Sequence, residues 1–135
     1  MEGRPPTVAV FNTSPDTVDM LRIILQHEGF VVIGAYTYEL RDAKIDIEDL
    51  VRQHHPDVII YDVAPPYDRS WRFLEHIRSR PPLAGRQFVV TATHVGHVRE
   101  IAGRDALIYE VVGKPFDVDQ IVRAVKEASR ARSTR

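Results

Sequence analysis

Residues 57–62 read DVIIYD, a run of β-branched and aromatic side chains that ends on an acidic residue. Four further short apolar runs lie along the chain, and in most of them the apolar residues are continuous rather than alternating with polar ones. Continuous runs of this length are typical of parallel strands whose two faces are both covered. We therefore predict one parallel sheet of five strands, at residues 7–11, 30–33, 57–61, 87–91 and 107–112.

Helical patterns lie between and after these runs. In residues 15–28 apolar side chains recur at helical spacing, Ser14 precedes them as an N-cap, and Gly29 follows as a stop. Strands and helices alternate five times, and right-handed crossovers with short connections favour a doubly wound α/β sandwich of three layers. A barrel of such units would need about 250 residues. The other helices are predicted at residues 46–54, from a Ser70 cap onward, at 97–102, and from Asp117 onward.

The 135-residue chain carries 18 Lys and Arg against 19 Asp and Glu, a formal net charge of −1, and it has no Cys. This length predicts a single domain, residues 1–135 with a core at about 7–130, because a domain averages roughly 150 residues. A near-neutral balance gives no overall field for nucleic acid, and no apolar run reaches the roughly 20 residues of a membrane span. The lack of Cys excludes thiol nucleophiles and Cys-based zinc sites. We expect a cytoplasmic protein that contacts neither membrane nor nucleic acid directly.

Polar residues follow several of the predicted strands, where sheets of this kind place their sites. Asp62 follows the third strand, Thr91 and Ala92 end the fourth, and Lys114 and Pro115 follow the fifth. A carboxylate on a rigid strand end can attack a phosphoryl group to form an acyl phosphate. A Thr hydroxyl can hydrogen-bond one phosphoryl oxygen while a Lys ammonium neutralises another. These residue types in this order therefore predict a phosphoryl-transfer site.

Three stretches make the pattern more specific: DVIIYDVAPPYD at 57–68, FVVTATH at 88–94 and VVGKPFD at 111–117. With these stretches the sequence resembles the receiver domain of two-component response regulators over about residues 7–130. The resemblance implies a flavodoxin-like (βα)5 fold with strand order 2-1-3-4-5. It implies that Asp62 is the phosphoacceptor, that Thr91 is the hydroxyl that shifts on activation, and that Lys114 contacts the phosphate. Pro66 and Pro115 then match structural turn positions of the family, and the Lys114–Pro115 peptide is commonly cis.

One departure from the family pattern limits what the site can do. Receivers usually carry adjacent acidic residues after the first strand, where they hold Mg²⁺, and this chain has Asn12 and Thr13 there. Mg²⁺ prefers carboxylate oxygens and supplies charge stabilisation to the transferred phosphoryl group. We therefore expect no required cofactor, weak Mg²⁺ binding at most, and weakened self-catalysed phosphotransfer.

The loss of these carboxylates leaves few formal charges near Asp62. We expect a direct ion pair between Asp62 and Lys114, and a pocket able to take a small anion near Thr91 and Lys114 without metal. Two interpretations of the pair stay open. It is either a working phosphosite or two half-buried charges that satisfy one another.

The function that these observations favour is an atypical receiver domain that acts mainly as a protein-interaction module in two-component signal transduction. It is no enzyme beyond self-catalysed phosphotransfer onto Asp62. Its partner is a histidine kinase or a downstream effector, and the resemblance implies contact, or homodimerisation, through the fourth helix, fifth strand and fifth helix. The alternative is a fully functional phosphoacceptor that takes phosphate from a histidine kinase with Mg²⁺. An output domain after residue 135 in a longer chain is compatible with either interpretation.

Overall fold

A computed structural model describes residues 5–12, 14–36, 46–83, 86–102, 108–113 and 118–133. Its strands form one parallel sheet in the order β2-β1-β3-β4-β5, as predicted. The doubly wound fold class is thereby confirmed. The strands are β1 (Thr7–Asn12), β2 (Val31–Tyr36), β3 (Val58–Asp62), β4 (Gln87–Ala92) and β5 (Ile108–Gly113).

Helices alternate with these strands along the chain, and a short 3-10 helix at Pro81–Leu83 precedes β4. The described helices are α1 (Pro15–His27), α2 (Ile47–His54), α3 (Tyr67–Arg78), α4 (Val95–Ala102) and α5 (Val118–Ser133). Within the described parts of the chain, no helix is both long and apolar enough to cross a membrane.

The sheet separates two apolar cores, because alternate residues of each strand point to opposite faces. Val8 and Val10 of β1 pack on one face with α1 and α5, through residues such as Leu21 and Ile121. Ala9 of β1 packs on the other face with residues of α2, α3 and α4. Three layers result, with α1 and α5 side by side on one side of the sheet.

Helix α1 begins and ends where the sequence predicts. Ser14 is the N-cap, and its side-chain oxygen accepts a hydrogen bond from the Thr17 backbone N–H at 3.3 Å. Gly29 follows the helix with φ of 95°, a left-handed conformation that favours glycine. Both ends are therefore determined by local chemistry.

The third helix begins earlier than predicted, so the assignment of Ser70 as its cap is wrong. Helix α3 begins at Tyr67, and Pro66 occupies the cap position without a side-chain hydrogen bond. Ser70 lies in the first turn of α3, where its hydroxyl accepts a hydrogen bond from the Ala64 N–H at 3.3 Å. The hydroxyl therefore closes the connection between β3 and α3. Trp71, Leu74 and Ile77 of this helix are buried.

Two other elements are longer than the sequence indicated. Strand β2 continues to Tyr36, because its last residues pair with Phe11 and Asn12 of β1. Helix α4 begins at Val95 rather than His97. Asp117, the predicted start of the last helix, lies outside the described residues, and α5 is described from Val118.

Candidate functional site

Asp62 and Thr91 meet at the carboxyl edge of the sheet. They are register partners in the pairing of β3 with β4. The Thr91 hydroxyl Oγ1 donates a hydrogen bond of 2.6 Å to Asp62 Oδ1. Asp62 is 3% exposed and Thr91 is fully buried. A short bond to a charged acceptor in a buried setting is among the stronger hydrogen bonds of a protein.

Asn12 ends the neighbouring strand on the same side of the sheet. Val8 and Val10 of β1 belong to the core under α1 and α5, so strand alternation places Asn12 on that side too. The same alternation places Asp62 there, two residues beyond Ile60, and Thr91, two residues beyond Val89. Asn12 is 3% exposed. The three polar side chains therefore share one edge and one face of the sheet.

The carboxamide of Asn12 is anchored by the start of α1. Its Oδ1 accepts a hydrogen bond from the Ser14 backbone N–H at 2.9 Å. The sequence predicts Ser14 only as a helix cap, and this second role of Ser14 was not predicted. A short polar side chain two residues before a backbone N–H is nevertheless a known turn signal. Among the described residues the Nδ2 group of Asn12 makes no hydrogen bond. The side chain thus carries N–H donors where a carboxylate would carry a negatively charged oxygen.

The segment after Asp62 is fixed by backbone contacts. The Val63 N–H donates to the Thr91 carbonyl at 2.9 Å, which extends the pairing of β3 and β4 past Asp62. Pro66 is exposed, and the Pro65–Pro66 peptide bond is cis. Pro66 then leads directly into α3. These contacts place Asp62 at a rigid strand end followed by a tight turn.

The remaining predicted residues divide into two groups. Ala92 ends β4 and is fully buried, and its methyl group packs in the core on the other face. Its predicted contact with a phosphate stays a prediction. Thr13, Lys114 and Pro115 lie outside the described residues. The expected ion pair between Asp62 and Lys114 therefore stays a prediction, as does a cis Lys114–Pro115 peptide.

The donor set at this edge is a poor match for a hard divalent cation. Of the last residues of β1, β3 and β4, only Asp62 carries a carboxylate, and its Oδ1 already accepts from Thr91. The neutral Oδ1 of Asn12 already accepts from Ser14. Mg²⁺ prefers carboxylates and near-ideal octahedral geometry. No cluster of three or more His, Cys, Asp or Glu side chains suited to a metal occurs within the described ranges.

The chain matches a curated protein and several solved structures. No protein-family model matches the chain. The chain is 28% identical over 128 residues to "Probable C4-dicarboxylate response regulator DctR" of Priestia megaterium, a match that covers 94% of this chain. The chain is therefore similar in sequence to a response regulator. It spans about half of that relative, 53% of its length.

Solved structures agree with the receiver fold. A response regulator from Thermotoga maritima superposes with a TM-score of 0.72 at 24% identity, over 93% of this chain and 98% of that one. The chemotaxis response regulator CheY4 of Vibrio cholerae superposes with a TM-score of 0.72 at 19% identity, over 92% and 98%. At these identities the likeness concerns the fold alone. The roles of individual residues in this chain therefore rest on its own geometry.

Proposed function

We propose that this receiver domain acts in two-component signal transduction mainly by binding a protein partner, with phosphorylation of Asp62 retained in weakened form. The observation that carries the proposal is the composition of the strand-end crevice. A buried carboxylate is hydrogen-bonded to Thr91, and the neighbouring strand ends in the neutral side chain of Asn12. Within the described residues, such a crevice keeps the proposed phosphoacceptor and offers a metal a single carboxylate.

The weakness of phosphotransfer follows from charge. A transferring phosphoryl group spreads negative charge over its oxygens, and bound Mg²⁺ normally neutralises that charge. Here the residues that would hold the ion supply one carboxylate and neutral oxygens already engaged in hydrogen bonds. We propose that the receiver domain binds Mg²⁺ weakly and functions without a required cofactor.

The described residues still support an unassisted reaction. A carboxylate oxygen of Asp62 attacks the phosphorus of an acyl phosphate, and the bond from phosphorus to the donor's bridging oxygen breaks. The donor leaves as a carboxylate, so no proton transfer is needed. The Thr91 hydroxyl, now bonded to Asp62, is close enough to donate instead to an oxygen of the new phosphoryl group.

The second candidate function is a fully working phosphoacceptor that uses Mg²⁺ and a histidine kinase. The observation that favours it is the adjacency of Asp62 and Thr91, which is already the arrangement that an aspartyl phosphate needs. The two candidates differ in one property. Only the second requires phosphorylation to be fast and dependent on Mg²⁺.

The partner surface that we propose is the face formed by α4, β5 and α5. Strand β5 is the last strand in the sheet order, so it lies at an edge of the sheet, next to β4. The partner is a histidine kinase or a downstream effector. Homodimerisation through this face and a cytoplasmic location both stay predictions.

Intact-mass measurement after incubation with a small acyl phosphate, with and without Mg²⁺, tests the proposal. We expect little or no gain of a phosphoryl group in the wild type, and none in Asp62→Asn. Asp68→Asn is the matched control, because Asp68 is an exposed carboxylate in the first turn of α3. A rapid, Mg²⁺-dependent gain that Asp62→Asn abolishes and Asp68→Asn preserves would establish the second candidate instead.

A further inference from the structure

Exposed apolar side chains concentrate along the groove between α1 and α5. Within the described residues, large exposed hydrophobic side chains occur at Met20, Ile23, Val31 and Val118. Ile23 is 68% exposed and Val118 is 44% exposed, and both line a groove of about 480 Å³ between the two helices. Met20 lies one turn before Ile23 on α1. Exposed aliphatic side chains grouped in this way mark an interaction surface more often than scattered ones do.

An ion pair links the two helices. Lys126 Nζ of α5 lies 2.7 Å from Glu28 Oε1, at the end of α1. The two helices follow parallel strands and pack on the same face of the sheet, so they run in the same direction. Both helix N-termini therefore lie towards one end of the groove, and both C-termini lie towards the other.

The sign of the charged side chains changes along the groove, from the N-terminal ends of the helices to their C-terminal ends. On α1, a stripe of residues at helical spacing begins at Asp16, passes through Met20 and Ile23, and ends at His27. On α5, the groove side begins at Asp119, passes through Val122, and ends at Arg130. Asp119 and Arg130 are exposed and make no ion pair with other described residues. The N-terminal end of the groove thus carries an unpaired acidic side chain, and the middle holds Ile23 and Val122 with Arg123 beside them. The C-terminal end carries the unpaired Arg130 beyond the Glu28–Lys126 pair.

A surface with this pattern is complementary to a second copy of itself. A two-fold axis perpendicular to the helices would place the acidic end of one copy against the basic end of the other. Asp16 lies seven residues before Ile23, about 10 Å along the helix, and Arg130 lies eight residues after Val122, about 12 Å. The charges are therefore nearly equidistant from the apolar centre, as a two-fold contact requires.

We propose that this receiver domain forms a two-fold homodimer through the groove between α1 and α5. Ile23 and Val122 of the two copies form the apolar centre, and Asp16 of each copy faces Arg130 of the other. This surface differs from the face formed by α4, β5 and α5, and it stands whether or not Asp62 is phosphorylated. A dimer of this kind leaves α4 and β5 open to a different partner.

Sedimentation equilibrium over a concentration series up to the millimolar range tests the dimer. We expect the wild type to dimerise and Ile23→Glu to weaken the dimer about tenfold or more, because the variant removes buried aliphatic surface and adds a charge. Val31→Glu is the matched control, since Val31 is exposed on the edge strand β2, away from the groove. A wild type that stays monomeric at all concentrations would overturn the proposal, and so would equal effects of the two variants.

A charge swap tests the two-fold geometry independently. Asp16→Arg and Arg130→Glu should each weaken the dimer several-fold, and the double variant should recover most of the lost affinity. Circular dichroism of each variant verifies that the fold is retained. A double variant that dimerises no more tightly than the weaker-binding single variant would overturn the assigned pairing. If each change acted only locally, combining the two changes would recover no affinity.

Discussion

Thr91 Oγ1 donates a 2.6 Å hydrogen bond to Oδ1 of Asp62, which lies 29 residues earlier in the chain. The bond joins the ends of two adjacent parallel strands, and both side chains are almost completely buried. The hydroxyl is therefore directed at Asp62, the proposed phosphoacceptor, before any phosphoryl group arrives. Because the bond stabilises a buried negative charge, it contributes to the stability of the fold as well as to the chemistry of the site.

Thr91→Val should destabilise the fold by about 1–3 kcal/mol, because the Asp62 carboxylate stays buried and loses a donor. The free energy of unfolding from urea denaturation measures the effect. Thr91→Ser keeps the hydroxyl and is the control.

The same replacement in an Asp62→Ala background separates the bond from general packing. We expect Thr91→Val to cost little there, which corresponds to a coupling energy of about 0.5–3 kcal/mol in the double-mutant cycle. Additive effects of the two changes would show that the hydrogen bond does not stabilise the fold.

Gly34→Ala should destabilise the fold by about 1–3 kcal/mol, because a methyl group there has no room. A Cβ at this position of β2 would lie 2.6 Å from Cγ1 of Val18, which is buried in α1. Gly96→Ala is the matched control, since a Cβ at Gly96 meets nothing within 4 Å. In the first turn of α4 this control should be neutral or stabilising by up to about 1 kcal/mol. Equal midpoints for the two variants in thermal denaturation would contradict the close approach of α1 to β2.

The ion pair of Glu28 with Lys126 gives a defined pH dependence. The hydrogen bond and the positive charge of Lys126 lower the pKa of the Glu28 carboxyl from its ordinary value of 4.5. A carboxyl whose pKa is lower in the folded state adds stability above its unfolded pKa, and this stability disappears as pH falls through the folded pKa.

The wild type should therefore exceed Glu28→Gln in thermal midpoint at neutral pH, by a small margin because the pair is exposed. The margin should shrink as pH falls below about 4.5 and disappear in stronger acid. Asp19→Asn, at an exposed carboxylate elsewhere on α1, is the comparison variant. A margin that grows with acidification would contradict the assigned shift.

Asn12→Asp combined with Thr13→Asp should raise Mg²⁺ affinity at least about tenfold, because two carboxylates replace neutral side chains at the end of β1 and directly after it in the sequence. The Asp oxygen at position 12 can still accept the hydrogen bond from the Ser14 N–H. Isothermal titration calorimetry measures the affinity, and adding Asp62→Asn to the double variant should remove most of the gain. Unchanged affinity would show that these neutral side chains are not the cause of weak metal binding.

Much of the fold was predictable because its strands are continuously apolar. Runs such as DVIIYD indicate strands that are covered on both faces, and parallel strand ends meet at one edge, which brought Asp62 and Thr91 together as expected. The length of β2 was not predictable, because residues 34–36 are held by pairing with β1 rather than by their own propensity. The role of Ser70 was likewise hidden, since its hydroxyl completes a turn with Ala64 that only the folded chain forms.

The candidate site was predictable in its residue types and less so in its hydrogen bonds. The neutral Asn12 is evident from the sequence, whereas the donation from Ser14 that orients it depends on how α1 leaves β1. The groove between α1 and α5 was not predicted at all. It exists because two helices that are 90 residues apart pack side by side, and no local pattern encodes that contact.

The rate at which Asp62 gains a phosphoryl group from a small acyl phosphate, measured by intact mass across Mg²⁺ concentrations, tests the central claim most directly. The claim is that Mg²⁺ hardly assists the phosphorylation of Asp62, because Asn12 and Thr13 provide neutral side chains where carboxylates would hold the ion. It predicts a slow wild-type rate that hardly responds to Mg²⁺, and a faster, Mg²⁺-dependent rate for the Asn12→Asp, Thr13→Asp variant. A wild-type rate that already rises steeply with Mg²⁺ and matches that of the variant would contradict it.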